Sequence, residues 1–506
     1  MSRSRFQAAG VALLLAVPLA AAPGRTFYID SAAGNDGSDG LSEARPWKSL
    51  AKVNSQRFNP GDKLLLKSGA HFTGQMRPRG SGADGSPIVI DQYGSGPKPV
   101  IAAEGRFHEA LLIENADYWE VNNLELTNLG PARETFRYGV RVRAWDFGVM
   151  RHIHLKNLYV HDVNGSLVKK DAGEGHGIVW ENGGSKVRSR FDGLLIEGCR
   201  LERTDRNGIC GYTPYRSPTR GNRSTHVVIR KNTLEDIGGD GIKVWGADGA
   251  VVEHNVLRGA RTRCDDYAAG IWPWDSDDTV IQFNEVTGLK GTKDGEAFDS
   301  DAFTRNTVLQ YNYSHDNDGG FLLVCCSNNV GTVVRYNISE NDGARLFHMA
   351  DGNQSIAIYN NVFYIGKGKD VALFLWTGRG TAWTRDVRVV NNIFYSEGIA
   401  RNVTGQKKKA VDDGTFLAEP GFGGSKDIVF DRNVLYGNFH QIPEDWKKMM
   451  ADPKFAAPGR GVEGYRLRPE SPCIGAAVPI ENNGGRDFFG TPVRSGKPSI
   501  GAIEPR

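Results

Sequence analysis

The sequence predicts an all-β solenoid, a stack of short parallel strands wound around one elongated core. Three observations carry that expectation: a segment that recurs every 23 to 29 residues, apolar residues alternating with period two inside each copy, and 63 glycines among 506 residues. Self-similarity at this period means that each unit cannot bury its apolar face alone and does so against its neighbours. Alternation with period two is the signature of strands rather than helices, and abundant glycine suits many tight turns.

The copies are read directly from the chain. They include HVVIRKNTLED (226–236), AVVEHNVLRG (250–259), TVIQFNEVTG (279–288), TVLQYNYSHD (307–316), TVVRYNISEN (332–341), IAIYNNVFY (356–364), VRVVNNIFY (387–395) and IVFDRNVLY (428–436). Between Asn232, Asn255, Asn284, Asn312, Asn337 and Asn361 the intervals are 23, 29, 28, 25 and 24 residues. The leucine-rich-repeat spacing LxxLxLxxN is absent. Stacked at the ~4.8 Å strand spacing, each Asn amide can bond to the next coil and satisfy turn backbone groups in the interior. The sequons at Asn312 and Asn337 are therefore read as ladder positions rather than glycosylation sites.

The ends and the composition set further bounds. Arg3 and Arg5 precede an apolar run from Val11 to Ala22, the pattern of a secretory signal, so residues 1–22 are expected to be one and the protein to be secreted or periplasmic. Later segments are too short in apolar residues for a membrane span. Net charge is +3 with both signs mixed, which excludes an electrostatic footprint for nucleic acid or a membrane surface. The six cysteines, Cys199, Cys210, Cys264, Cys325, Cys326 and Cys473, lack zinc spacing; one or two bridges remain open.

The repeat, covering about residues 85–440, resembles the right-handed parallel β-helix superfamily shared by pectate lyases, polygalacturonase-like hydrolases and other exported carbohydrate-active proteins. FYIDSAAGNDGSDGLSEARPWKSLAKVN (27–54) with FNPGDKLLLKSG (58–69) is similar to the N-terminal segment of such proteins, and DPKF (452–455), YRLRPESPCIGAA (465–477), RDFFGTP (486–492) and IGAIE (500–504) to their C-terminal tail. The expected organisation is an N-terminal cap and first coils at 23–84, the β-helix at 85–440 and a C-terminal cap or tail at 441–506. Pro46 to Asn54 is expected to cap the first coil, and Glu444 to Met450 to form a short helix.

A second strand follows each polar turn, and its Gly-apolar start lets the copies be superposed: GVRVR (139–143), GIVWE (177–181), GICGY (208–212), GIKVW (241–245), GIWPW (270–274), AFDSD (297–301) and GFLLV (320–324). If the second residue of each points inward, the third and fifth point outward. One outward row then reads Arg141, Val179, Cys210, Lys243, Trp272, Asp299, Leu322, and the other Arg143, Glu181, Tyr212, Trp245, Trp274, Asp301, Val324. Lys243, Trp245, Trp272, Trp274, Asp299 and Asp301 thus share one patch. Exposed indoles suit sugar rings, and carboxylates suit hydroxyl contacts and proton transfer.

Two chemistries use such a patch. In glycoside hydrolysis one carboxyl protonates the leaving oxygen and a second attacks or activates water; Asp299 and Asp301, or Glu296 as the alternative, are the candidates. In polysaccharide elimination a base such as Lys243 removes a proton next to a uronate neutralised by a cation; calcium at Asp294, Asp299 and Asp301 would serve. Asp240, His315 and Arg345 are further substrate-binding candidates, Arg345 because the small Gly320 leaves room for its guanidinium to reach over the patch. The segments 212–224, 260–269 and 287–296 are expected to be loops flanking the groove. Resemblance to the superfamily implies a polysaccharide or oligosaccharide substrate, hydrolase first, lyase second, and a non-catalytic glycan-binding or adhesive protein third; a monomer is expected. Gly175-His176-Gly177 matches one polygalacturonase signature but stands on a distant coil, and Gly241-Ile242-Lys243 lacks the arginine of the other.

Overall fold

A computed structural model describes residues 24–169, 174–215, 220–378, 382–402 and 424–505. The expected signal segment lies outside them. Successive coils each lay down three strands. Val251–Glu253, Val256–Arg258 and Ile271–Trp274 form one coil, and Val280–Gln282, Glu285–Thr287 and Glu296–Ser300 the next. Corresponding strands pair in parallel from coil to coil: Val251 with Val280 and then Val308, Val256 with Glu285 and then Tyr313, Ile271 with Phe298 and then Leu322. The first strands make a 15-stranded sheet, and the second and third strands together a 23-stranded one. The fold is the predicted right-handed parallel β-helix.

Inward residues build a continuous core. Ile209, Ile242, Ile271, Phe298, Leu322, Phe347 and Phe374 line one inner row with essentially no exposure, and Phe347 stacks on Phe374 with ring centroids 4.8 Å apart. The corner between first and second strands explains the Asn repeat. Lys231, His254, Phe283, Tyr311 and Tyr336 each precede a ladder Asn and take positive φ between 51° and 58°, a left-handed conformation that costs a non-glycine residue about 1–2 kcal/mol. The ladder offsets that cost. Asn284 Nδ2 donates to Asn312 Oδ1 and to the Val252 carbonyl, both at 3.0 Å, and the backbone N–H of Asn284 donates to the same Asn312 oxygen. The pattern repeats from Asn232 through Asn255, Asn284, Asn312, Asn337, Asn361 and Asn392 to Asn433.

Both ends are closed, one of them differently than expected. At the N-terminal end the helix Leu50–Ser55, capped by the Ser49 hydroxyl, buries Leu50 and Val53 with Trp47 against the first coils. At the other end Glu444 to Met450 is not a helix. Asp445 takes the place of the next ladder Asn, accepting from Asn433 Nδ2 at 2.8 Å and from the Asn433 backbone, and Met449 forms a parallel bridge to Val434. A carboxylate ends the ladder well because it accepts without needing a further coil to donate to. The remaining tail runs along the flank of the coils: Asn360 Nδ2 donates to the carbonyls of Ser499 and Gly501, and Ile500, Ala502 and Ile503 pack on Ile338, Val362, Ile393 and Val434.

Candidate active site

The third strands carry the predicted patch. Arg141 pairs with Val179, Val179 with Cys210, Cys210 with Lys243 and Lys243 with Trp272, so the first outward row holds over five coils. In the second row Trp245 stacks on Trp274 at 5.0 Å with planes 6° apart, and Tyr212 meets Trp245 edge-on at 5.1 Å. This aromatic ladder leads along the axis to Asp301. The register slips at the next coil. Gly320, at φ 136°, pairs with Glu296 rather than Ala297, so Leu323 and not Leu322 follows Asp299, and Cys325, whose N–H donates to the Ser300 carbonyl, follows in place of Val324. The pairing is one-to-one through this strand, so Gly320 stands one position earlier than the glycines of the preceding coils, which superposing Gly-apolar pairs does not reveal.

A third outward row, just before the strand glycine, escaped the sequence comparison. His176 pairs with Asn207, the backbone links Gly208 to Asp240, Gly241 to Ala269 and Gly270 to Glu296, and Glu296 pairs with Gly320 and Gly320 with Arg345. His176 therefore heads a row that runs to Asp240 and Glu296. Its period equals that of the glycine column, the signal that identifies it. The space above Gly320 admits Arg345, whose Nε donates to Glu296 Oε1 at 2.7 Å. The predicted reach over glycine is present, and the guanidinium holds a carboxylate rather than lying free.

Loops seal much of this surface, which corrects the expectation of a solvent-facing row. Trp272 is 1% exposed; its Nε1–H donates to Asp240 Oδ1 at 3.1 Å. Asp240 has no exposed surface and also accepts from the Ala269 N–H and lies 3.4 Å from Arg206 Nη2, so it anchors the 260–269 loop. Lys169, on a loop that the patch reading did not include, donates its N–H to Asp266 and its ammonium to the Tyr267 carbonyl, with Nζ 5.2 Å from the Trp272 ring. His315 lies on the second-strand ladder, bonded to Thr287 and beside Glu285 and Asp316, not in the cluster. Its place after the Asn ladder puts it on the second strand, one corner away from the third.

The cluster thus gathers Asp294, Glu296, Asp299 and Asp301 around Lys169 and Arg345. Asp299 is 3% and Asp301 9% exposed, whereas Asp294 is half-buried at the opening of the strand. Burial pushes Asp301 up to about 6, against the Ala302 N–H and the Lys169 charge. Burial, then the charges of Asp301, Asp294 and Glu296, hold Asp299 well above the usual carboxylate range. Glu296 is pushed up by burial to about 7 against the pull of Arg345, and Asp294 is raised by burial against Lys169 and Arg345. Asp299 Oδ1 and Glu296 Oε2 are buried without a hydrogen-bond partner, so both are free to face a ligand or share a proton.

Lys243 sits with its ammonium 5.3 and 5.4 Å from the rings of Trp245 and Trp272. Burial pulls its pKa down, but Cys210, Glu174 and Asp240 outweigh that and raise it. For the calcium expectation, the ligand-atom groups that converge within 4.8 Å among the described residues are Glu120 with His152 and His154, and Asp301 with Cys325 and Cys326. Asp294, Asp299 and Asp301 do not form such a group. Cys325 and Cys326 are joined as a disulfide, and the other four cysteines are free and buried.

A right-handed parallel β-helix with a partly sealed carboxylate cluster at the end of an aromatic ladder is the class that fold and site define. Residues 180–410 match the family model described as periplasmic copper-binding protein (NosD). The chain is similar to a lacto-N-biosidase of Bifidobacterium longum subsp. longum, 29% identical over 622 aligned residues that take in 98% of this chain and 38% of that protein. It therefore spans well under half the length of this curated relative. Among solved structures it is similar to the GH136 lacto-N-biosidase of Eubacterium ramulus, at 26% identity and a TM-score of 0.59 over 80% of this chain and 68% of that one. The complex of XylC with xylose, at 13% identity and a TM-score of 0.53 over 94% and 98% of the two chains, shares the fold.

Proposed function

We propose that this chain is a glycoside hydrolase that cleaves an oligosaccharide or polysaccharide at the carboxylate cluster, with an activity of the lacto-N-biosidase kind. The observation that carries it is a Tyr212–Trp245–Trp274 aromatic ladder ending on carboxyl groups whose proton affinity is raised. Hydrolysis needs one protonated and one ionised carboxyl at the same pH, and a cluster that pushes neighbouring acids apart supplies both. Likeness to two lacto-N-biosidases above 25% identity supports the same class.

Within the cluster the roles follow from access and charge. A reacting carboxyl has to touch the sugar, and Asp294 and Asp301 keep more surface than Asp299 or Glu296. Asp301, pushed up by burial to about 6, is the proton donor to the leaving oxygen. Asp294, facing Lys169 and Arg345, is the carboxylate that attacks or activates water. Asp299 lies among them with its proton retained and supports Asp301. Glu296 is fixed by Arg345, and Lys243 places its ammonium against the indoles. Trp245 and Trp274 form the platform for neighbouring sugar rings.

Elimination fits less well because the relatives above 25% identity are lacto-N-biosidases. Export to the periplasm or medium, a monomeric state and independence from calcium complete the proposal. Incubation with lacto-N-biosidase substrates and with plant, algal and bacterial polysaccharides, following reducing ends and ultraviolet absorbance together, tests it. New reducing ends without unsaturated product support hydrolysis. Calcium-dependent absorbance would replace it with a lyase, and binding without either product with an adhesive protein.

A further inference from the structure

The first-strand ladder carries a second group of converging side chains, separate from the carboxylate cluster. Glu120, on Trp119–Asn122, pairs across coils with His154, on Val149–Lys156. His152, two residues earlier, has φ 51° and stands opposite Gly193 at φ 88°, where both strands bend between the Arg151–Asp192 and Ile153–Leu194 pairs. That bend swings the His152 ring onto His154, with centroids 3.8 Å apart. His152 Nε2 lies 3.0 Å and His154 Nδ1 3.6 Å from the same oxygen, Glu120 Oε1. One ligand atom from each of the three falls within 4.8 Å of the others.

A surface ion-pair network accounts poorly for this arrangement, because two imidazoles in ring contact compete for one acceptor. Lys156 Nζ already occupies the other Glu120 oxygen at 2.9 Å, which orients the carboxylate and leaves Oε1 toward the rings. Two imidazole nitrogens and one carboxylate oxygen are the donor set of late first-row divalent ions, and three protein ligands leave a position for water. All three side chains are partly exposed, so an aqueous ion has access.

We propose that Glu120, His152 and His154 form a binding site for a divalent transition-metal ion, of the Zn2+ class, that ties together two adjacent coils near the N-terminal end. The residues lie outside the 180–410 stretch that matches the copper-binding family, so the inference does not derive from that match.

The test uses the full chain without a histidine tag, stripped with chelator and titrated with ZnCl2 and CoCl2 by calorimetry and visible absorption. One saturable site per chain, with Co2+ bands of a site containing nitrogen ligands, is expected. His152→Ala and His154→Ala should each weaken Zn2+ by at least the roughly 10–100-fold that loss of a supporting partner costs, with melting temperature in chelator close to that of the parent. Glu120→Gln, which preserves shape, should weaken it as well. Absence of saturable binding, or binding that survives both histidine substitutions, overturns the proposal.

Discussion

At the scale of single residues, the carboxyls of the cluster differ in what they contribute to turnover and to stability. Asp294→Asn and Asp301→Asn are each expected to lower kcat by roughly 10²–10⁴-fold, the usual contribution of a positioned acid or base, with melting temperature unchanged or higher; initial rates of reducing-end release check this. Because Asp301 acts as the acid, activity should fall as pH rises through about 6. Asp299→Asn is expected to raise the melting temperature near pH 7. Folding near pH 7 has to place a proton on an acid that is ionised in the unfolded chain, a cost that asparagine does not carry. A lower melting temperature for Asp299→Asn at pH 7 contradicts that electrostatic account. Of these residues, Asp299, Asp301 and Lys243 were legible in the sequence by laying strands over one another, and Glu296 only as the carboxyl at the preceding turn. Lys169 was not, because its loop reaches the cluster across the fold from outside the repeat.

At the scale of elements, two devices hold the coils in register. The Asn ladder is one: Asn312→Ala leaves the Asn284 amide group and backbone without their acceptor and should cost about 1–3 kcal/mol, the penalty for a buried donor left unpaired, as measured by denaturant unfolding. Gly320 is the other. A methyl group there would lie 1.7 Å from the Arg345 carbonyl oxygen, and φ 136° is closed to alanine. Gly320→Ala is therefore expected to displace Arg345 from Glu296, reduce turnover and lower the melting temperature. The ladder was visible from spacing alone, since the same residue type returned at each corner. The offset of Gly320 by one position was not, since GFLLV is apolar at each position after the glycine and fits either register.

At the scale of the whole molecule, titration opposes itself. Asp62, Glu114 and Asp162 are held low, the last at about 2, and the stability they supply is lost as pH falls through that range. Asp301 and Asp342 are raised to about 6 by burial; for them the folded state holds the proton more tightly, so stability declines as pH climbs from about 4 to about 6 and then levels off. The melting temperature should peak between those limits, and a scan across pH 3–8 with a maximum above 7 would contradict this balance. The sequence by itself determined the solenoid, its period, the inward rows and the outward face that bears Asp299, Asp301 and Lys243, because strand alternation and stacking are local rules repeated at each coil. Only the tertiary structure decided that loops bury Trp272 and Asp240, that Arg345 grips Glu296, that the tail lies along the flank and that His152 folds onto His154. The first three depend on contacts between segments far apart in the chain and the last on a bend opposite Gly193 of the next coil, neither of which a local pattern encodes.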